Sequence, residues 1–263
     1  MLARVAGFGP CWAGFADFRE TLILMRVVAV IPARLASTRL PRKMLREIAG
    51  EPLIARVYRG VRRSTVLDEA VVATDSDEIF RFCEKQGFPV RMTSTAHRSG
   101  TERVHEISNS ISADVYLNVQ GDEPLTRPEQ IESLITLMRD ERIQVGTLKT
   151  RAADVDVAAA SAVKVVTDHS GRALYFSRAA IPFDRDGVRP EYFKHLGFYA
   201  YRKPALDRFV AWPESSLERS ERLEQLRFLE NGVSIYVAET PFDSIGVDTE
   251  EDLQRVEKIL GKK

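Results

Sequence analysis

Short, nearly continuous apolar runs alternate along the chain with longer amphipathic stretches. The runs at 27–31, 70–73 and 115–119 are rich in Val, Ile, Leu and Ala, which is typical of strands buried on both faces of a sheet. Apolar residues then recur every three or four positions after Pro52, at 78–86 and at 128–139, and this period indicates helices. The alternation of strands with helices predicts one α/β domain with a mostly parallel central sheet.

The second half of the chain predicts a small antiparallel subregion beside that sheet. That subregion is predicted over 163–201, with strands at 163–167, 173–176 and 196–201. Further strands are predicted at 88–92, 145–149 and 234–237. Residues 168–171, with the sequence DHSG, are typical of a hairpin turn. One charged amphipathic helix is predicted over 216–230. Gly87 is predicted to end the helix at 78–86. Thr101 and Thr249 are predicted to be helix N-caps, and the second assignment leaves Asp248 free.

Residues 1–24 differ from the rest of the chain, because they are rich in Gly and aromatic residues and show no clear period. Pro10 and the charges that follow it make the segment a poor signal peptide. We interpret it as a disordered extension, or as the result of a start upstream of Met25 as the natural first residue. Residues 25–263 are predicted to form a single domain.

Composition narrows the class of protein. The 263 residues carry equal numbers of basic and acidic side chains, so nothing indicates a nucleic-acid or membrane-surface protein. The two cysteines are typical of a reduced, cytoplasmic protein and form no metal-binding motif. No apolar run is long enough to span a bilayer.

A basic loop follows the first predicted strand, which Pro32 is expected to end because it lacks an N–H. The loop contains no acid, and its cations and hydroxyls are Arg34, Ser37, Thr38, Arg39, Arg42 and Lys43. Open α/β sheets bind ligands at the carboxyl ends of their strands, and Arg and Lys bind phosphates, so the loop predicts a polyphosphate site. A solvated basic loop is the alternative. Neither phosphate-binding glycine motif is present, since no glycine lies between Arg26 and Ile48.

Acidic residues at strand ends are candidates for a metal site. Asp122 directly follows the strand at 115–119, after a glycine, and Asp248 is a second carboxylate far away in sequence. Mg²⁺ favours one or two carboxylates, with water and phosphate oxygens in the other positions. A simple Gly-Asp turn explains Asp122 equally well. Asp75 and Asp77 form a D-x-D pair, although a helix N-cap needs the same residue types.

Several motifs together resemble the sugar-acid cytidylyltransferase family, and within it the branch that acts on 3-deoxy-manno-octulosonate (Kdo). They are IPARLASTRLPRK, SGTER, NVQGDEP, ALYFSR, KHLG, LEQLR and GVDTEEDL, and the likeness spans roughly residues 26–258. The resemblance implies a Rossmann-like nucleotide-diphospho-sugar transferase fold. It also implies transfer of CMP from CTP to the anomeric hydroxyl of Kdo, which releases pyrophosphate and serves lipopolysaccharide biosynthesis.

The resemblance also implies roles for the residues that match the motifs. The implied catalytic residues are Arg34, Lys43, Asp122 and Asp248. The implied CTP-binding residues are Arg34, Ser37, Arg39, Lys43, Ser99, Arg103 and Asp122. The implied sugar-binding residues are Gln120, Arg178, His195, Tyr199, Glu224 and Gln225. Mg²⁺ held by Asp122 and Asp248 is the implied cofactor, and a homodimer is the implied assembly.

Three residues depart from the family pattern. Arg42 stands where a glycine is usual, and Ala96 and Arg98 flank His97 in place of Asp and Gln. The same reaction on 8-amino-Kdo or on an acylneuraminate is an alternative, although KHLG and LEQLR favour Kdo. A non-catalytic nucleotide-binding protein on the same fold is a third hypothesis, which predicts loss of Lys43 or of a metal carboxylate, and all of these are present.

Overall fold

The structure is a computed structural model that describes residues 25–35 and 39–261. The prediction for residues 1–24 therefore lies outside the described residues. The strands are β1 (Val27–Ala33), β2 (Glu47–Ile48), β3 (Glu51–Pro52), β4 (Glu69–Thr74), β5 (Val90–Met92), β6 (Val115–Asn118), β7 (Val145–Arg151), β8 (Lys164–Thr167), β9 (Ala173–Ser177), β10 (Phe193–Tyr201) and β11 (Ile235–Glu239). The helices are α1 (Leu53–Arg62), α2 (Asp77–Gln86), α3 (Gly100–Ser108), α4 (Pro128–Met138), α5 (Asp154–Ala158), α6 (Lys203–Ala211), α7 (Ser216–Glu221), α8 (Leu226–Glu230) and α9 (Glu250–Leu260).

A mostly parallel sheet forms the centre of the described domain, as predicted. Its strand order is β11-β7-β10-β6-β1-β4-β5, with β8 and β9 paired beside β10. Strands β1, β4, β5 and β6 are mutually parallel, and β11 is parallel to β7. The antiparallel character predicted for 163–201 is confirmed in β10, but this strand lies inside the main sheet, between β6 and β7. The predicted hairpin is confirmed, since β8 and β9 pair antiparallel around Gly171 in a left-handed conformation.

Both faces of the sheet are covered, which explains the continuous apolar character of β1. Ala29 and Ile31 belong to the core cluster that includes residues of α1, α4 and α9. Val28 and Val30 belong to a second cluster that includes residues of α3, α6 and α8. All four side chains are fully buried, so neither face of this strand tolerates polar residues.

Two of the predicted helix termini are confirmed. Gly87 ends α2 with a φ of 71°, the left-handed conformation that glycine adopts at no steric cost. Thr249 caps α9 and accepts a hydrogen bond from Asp252 N. The N-cap prediction for Thr101 is wrong, because Ser99 caps α3 and accepts from Glu102 N. The Thr101 hydroxyl instead donates to Glu224 at 2.8 Å, a partner that sequence proximity cannot indicate.

Pro32 lies inside β1 rather than after it, which corrects the expected strand end. Its register partner is Ala73 on β4, whereas the β1–β6 ladder stops at Val30. Backbone groups two residues apart on a strand point the same way, and the Val30 carbonyl accepts from Val119 N on the β6 side. An N–H at position 32 would therefore point toward β6, which no longer pairs with β1 at this position. The proline breaks no backbone hydrogen bond of the sheet and is tolerated.

The single helix predicted over 216–230 is wrong in its middle. The segment forms α7 and α8, and Arg222 between them is left-handed, with a φ of 52°. This break takes Glu224 and Gln225 out of the regular helices, and Gln225 becomes the residue before α8. Within the described part of the chain, no helix is both long and apolar enough to cross a membrane.

Candidate active site

The carboxyl ends of β1 and β6 bring the basic loop close to the 120–122 turn. Gly121 is required at this crossing, because a Cβ there would lie 2.6 Å from the Pro32 carbonyl oxygen. The Asp122 carbonyl accepts from Val247 N at 2.9 Å, so the segment before α9 is joined to the same turn. Two segments distant in sequence therefore present Asp122 and Asp248 at one edge of the sheet.

Lys43 is the centre of this edge. Its Nζ lies 2.7 Å from Asp122 Oδ2 and 2.9 Å from Asp248 Oδ1, and its side chain is only 9% exposed. Burial lowers the pKa of Lys43, but the charges and hydrogen bonds of the two aspartates outweigh it and the net shift is upward. For Asp248, burial raises the pKa, and Lys43 and Arg39 reverse that effect, so the net shift is downward. Lys43 and Asp248 are thus both held in their charged forms.

Of the other described cations of the basic loop, Arg39 contacts this cluster, whereas Arg34 and Arg42 have other partners. Arg39 pairs with Asp248 Oδ2 at 2.9 Å, and Arg34 donates to the His97 carbonyl at 2.7 Å. Burial and the nearby Arg103 lower the pKa of Arg34. Arg42 is turned toward Glu78 and adopts a left-handed φ of 55°, so the turn expected of a glycine is kept despite the substitution. Ser37 lies outside the described residues.

Asp122 and Asp248 fit a Mg²⁺ site by their chemistry. One ammonium group reaches both carboxylates within 3 Å, so both are close enough to share a single cation. No group of three or more His, Cys, Asp or Glu side chains that could hold a metal is found among the described residues. Two carboxylates are what Mg²⁺ takes when phosphate and water complete its shell. The D-x-D alternative loses support, because Asp75 is paired with Arg103.

Arg103 and Ser99, predicted to contact the nucleotide, are engaged within the protein. Arg103 is fully buried, pairs with Asp75 and donates to Thr93 Oγ1 at 2.5 Å. Ser99 is the N-cap of α3. Arg103 is therefore placed as a buried cation near Arg34, and its direct contact with a nucleotide stays a prediction.

The predicted sugar-binding residues gather around β10. His195 is 9% exposed, its Nε2 lies 2.9 Å from Thr147 Oγ1, and burial lowers its pKa to about 3. It is therefore neutral at pH 7. Tyr199 is buried and stacks on Tyr201, with ring centroids 5.7 Å apart. The side chain of Gln120 lies beside β10, since a Cβ on Gly197 would meet its Cγ at 3.6 Å.

Arg178, Glu224 and Gln225 complete this set. The Arg178 side chain donates to the carbonyls of Glu221 and Ala160 at 2.8 and 3.0 Å, so here it joins loops rather than presenting a free guanidinium. Burial raises the pKa of Glu224. Glu224 Oε2 and Gln225 Nε2 are buried and have no hydrogen-bond partner within the described ranges. Unsatisfied polar atoms of this kind are what a polyhydroxylated ligand can pair with.

Sequence reasoning missed Glu123 and Lys194. Glu123 is buried beside Asp122, and burial, followed by the Asp122 charge, raises its pKa to about 7. A Cβ on Gly197 would lie 3.5 Å from Glu123 Oε1, which places this carboxyl against β10. Lys194 pairs with Asp243 at 2.9 Å and joins β10 to the loop that leads to Asp248. The acid at 123 was visible in NVQGDEP, but nothing in the sequence indicated its burial.

The sheet, the basic loop and the facing aspartates define a nucleotide-using α/β protein. A family model described as cytidylyltransferase matches residues 28–235. Two curated relatives, from Koribacter versatilis and Acidobacterium capsulatum, are both named 3-deoxy-manno-octulosonate cytidylyltransferase. They are 65% and 53% identical to this chain over 90% of its length, which covers 90% and 97% of theirs. The chain belongs to the cytidylyltransferase family.

A solved structure is also similar to this one over most of the chain. It is that of a CMP:2-keto-3-deoxy-manno-octonic acid synthetase complexed with CTP, and the TM-score is 0.87 at 39% sequence identity. The match covers 90% of this chain and 99% of the other. The fold predicted from the alternation of strands and helices is therefore that of a nucleotidyltransferase of known architecture.

Proposed function

We propose that this chain is an enzyme that transfers CMP from CTP to the anomeric hydroxyl of Kdo, giving CMP-Kdo and pyrophosphate. The observation that carries the proposal is the position of Lys43 between Asp122 and Asp248, in a chain 65% identical to a 3-deoxy-manno-octulosonate cytidylyltransferase. The CTP complex of the similar solved structure supports the choice of nucleotide.

The charges at the sheet edge suit this reaction. Attack of the sugar hydroxyl on the α-phosphorus increases negative charge on the α-phosphate and on the departing pyrophosphate, so positioning and charge neutralisation dominate catalysis. Lys43, Arg39 and Arg34 lie at this edge, and each would bind triphosphate oxygens. Lys43 and Arg39 would exchange part of their contact with Asp248 for phosphate, which keeps every charge paired during the exchange.

Asp122 and Asp248 would hold Mg²⁺ once Lys43 has moved to the triphosphate. The ion would neutralise phosphate charge and lower the pKa of a coordinated hydroxyl. The Asp122 carbonyl and Val247 N hydrogen bond keeps the two carboxylate segments together, so the pair would be preorganised for the ion.

The sugar acid would bind beside β10. His195 is neutral there, so it would donate a single N–H to the sugar or accept from a hydroxyl, but would not supply a positive charge for the carboxylate. The carboxylate would need a cation, for which Arg178 would have to release its backbone carbonyls. Gln225 Nε2 and Glu224 Oε2 would pair with sugar hydroxyls.

We further propose a cytoplasmic homodimer that supplies CMP-Kdo for lipopolysaccharide synthesis. The four most exposed large apolar side chains of the described residues all lie within the 155–188 stretch, namely Val155, Leu174, Phe183 and Val188. Grouped exposed apolar residues favour a protein interface. A monomer mass in solution, measured by light scattering at micromolar concentration, would contradict the dimer.

Pyrophosphate release with CTP and Mg²⁺ tests the reaction. Kdo, 8-amino-Kdo, N-acetylneuraminate and no sugar acid are compared, and we expect release only with Kdo. Release with another acid alone would keep the reaction and change the sugar. No release with any acid, from folded protein that binds CTP, would favour the non-catalytic alternative.

A further inference from the structure

A cleft with a volume of about 1000 Å³ lies outside the set of predicted catalytic and binding residues. Helix α1, the 124–129 segment, the 241–243 loop and the end of α9 line it. Its lining shares no residue with the predicted CTP, sugar or metal sites. The volume is at the upper end of the range, roughly 300–1000 Å³, in which small-molecule sites fall.

Four arginines line this cleft, and two of them lack an acidic partner. Arg56 and Arg59 both pair with Glu51. In the part of the chain that the structure describes, Arg63 and Arg127 form no ion pair. Arg63 donates to the Thr126 carbonyl, at 3.3 Å.

The guanidinium of Arg127 lies 4.7 Å from the ring centroid of Phe242. The Nε of Arg56 is buried and has no acceptor among the described residues, which indicates a donor left for a ligand. Among the acids of the lining, Asp243 is paired with Lys194, and Glu129 is the one carboxylate with no ion pair in the described ranges. Unpaired guanidinium groups thus outnumber unpaired carboxylates in the lining, and such groups bind phosphate bidentately.

Apolar groups form the rest of the wall. They are Ala49, Gly60, Pro124, Leu125, Pro128, Pro241, Phe242, Ile259 and Leu260. A ligand that binds both the arginines and the apolar wall carries a phosphate, which contacts the arginines. It also carries a planar, weakly polar group, which contacts Phe242 and its neighbours. A nucleoside monophosphate has this combination.

The cleft also contacts both segments that carry the catalytic carboxylates. The 124–129 segment begins two residues after Asp122, and the 241–243 loop leads to Asp248. Gln130 Nε2 donates to the Phe242 carbonyl at 3.3 Å, which joins the two segments. A Cβ on Gly60 would lie 3.2 Å from the Thr126 carbonyl, so the first segment packs closely against α1. A ligand held between α1 and these segments would therefore contact the parts of the chain that adjoin both aspartates.

We propose that this cleft is a second binding site, for a nucleoside monophosphate or a phosphorylated molecule of the same build, and that its occupation alters activity at the catalytic edge. Arg63 and Arg127 bind the phosphate, and Phe242 contacts the planar group. The binding itself does not depend on the proposed function, whereas its effect on activity does.

Calorimetric titration of the full chain with AMP tests the site, in the presence of saturating CTP and Mg²⁺ but without a sugar acid, so that the catalytic edge is filled. We expect one saturable site, and at least about tenfold weaker binding in the Arg63→Ala/Arg127→Ala variant, because each lost charge-assisted contact is worth about tenfold. Arg62→Ala and Arg139→Ala are matched controls, since they remove exposed arginines of α1 and of the end of α4 that do not line the cleft. Arg127→Ala alone serves if the double variant unfolds.

Absence of saturable AMP binding, or equal binding by the double variant and the controls, would overturn the site. Inorganic phosphate that binds as tightly as AMP would overturn the role of the apolar wall. In turnover assays we expect saturating AMP to change kcat/KM for CTP at least twofold in the wild type and not in the double variant, and an unchanged value would overturn the coupling. AMP binding in a chain without transferase activity would support this site and count against the proposed function alone.

Discussion

The two halves of the proposed catalytic edge, one proposed to bind the nucleotide and the other the sugar, differ in their electrostatics. On the nucleotide side, Lys43, Asp122 and Asp248 form a charged cluster in which each ion is stabilised by its partners. On the sugar side, His195 and Tyr199 are buried among aromatic rings, and burial keeps both neutral. The comparison indicates that charged groups lie where the triphosphate would react and would neutralise its charge. Neutral hydrogen-bonding groups lie where the sugar would bind.

The largest expected effect comes from the aspartates of the charged side. Asp122→Asn or Asp248→Asn should lower turnover by at least about 10³-fold, equivalent to about 4 kcal/mol, because a neutral amide neither holds Mg²⁺ nor balances Lys43. Steady-state pyrophosphate release measures the loss, and circular dichroism checks the fold. Asp77→Asn, in the first turn of α2 away from this cluster, is the control. Near-normal turnover in either active-site variant would refute the metal assignment.

Replacing Lys43 should distinguish the effect of its charge from the effect of a Mg²⁺ ion bound at the same two aspartates. Lys43→Met should reduce turnover by roughly 10²–10³-fold and leave the two aspartates without their shared cation. Added Mg²⁺ should then raise the melting temperature of the variant more than that of the wild type, since the ion takes the place of the ammonium group. Lys258→Met, on the exposed side of α9, should behave as wild type in both assays. Equal Mg²⁺ shifts in all three proteins would contradict a common site for the two carboxylates.

Lowering the pH should reduce the stability of the folded protein through His195, on the proposed sugar side. Its pKa is about 3 in the folded state, below the unfolded value of about 6.5, so below pH 6.5 the unfolded chain binds a proton that the folded chain does not. Stability therefore falls with decreasing pH, by about 1.4 kcal/mol per pH unit between roughly 6.5 and 3. His195→Gln should reduce the difference in unfolding free energy between pH 7 and pH 5 by about 2 kcal/mol.

Urea denaturation at the two pH values measures that difference. The control is His169→Gln, at an exposed position in the turn between β8 and β9. If the His195→Gln variant kept the wild-type pH dependence, burial would not suppress protonation of His195. The contrast between a charged nucleotide side and a neutral sugar side would then fail.

The smallest expected effect concerns the basic loop itself. Arg42→Gly should stabilise the protein by at most about 1 kcal/mol, because glycine adopts the left-handed φ of 55° without steric cost. Loss of the exposed pair with Glu78 opposes this gain by less than about 1 kcal/mol. Ala49→Gly, at a φ of 50° and without an ion pair, is the matched control and should show the full gain in thermal melting. Destabilisation by Ala49→Gly would contradict the attribution to backbone strain.

Predictions that rest on neighbouring residues were the most successful. The apolar runs became β1, β4 and β6, and Gly87 and Thr249 end and begin helices as expected. Two of the errors share one cause, which is a partner distant in sequence. Thr101 donates to Glu224, 123 positions away, instead of capping α3, and Pro32 stays in β1 because β6 has stopped pairing beside it.

The sequence by itself determined the alternation of strands and helices, the supply of cations and carboxylates, and the family resemblance, because each depends on residue type and local spacing. Only the tertiary structure decided which of these groups meet. Lys43 contacts Asp122 and Asp248 from 79 and 205 positions away, and no local pattern encodes such distances. It also decided which groups are buried, and so made His195 neutral and raised the pKa of Glu123. Protonation depends on the solvent that the folded chain excludes, and that exclusion exists only after the whole sheet has formed.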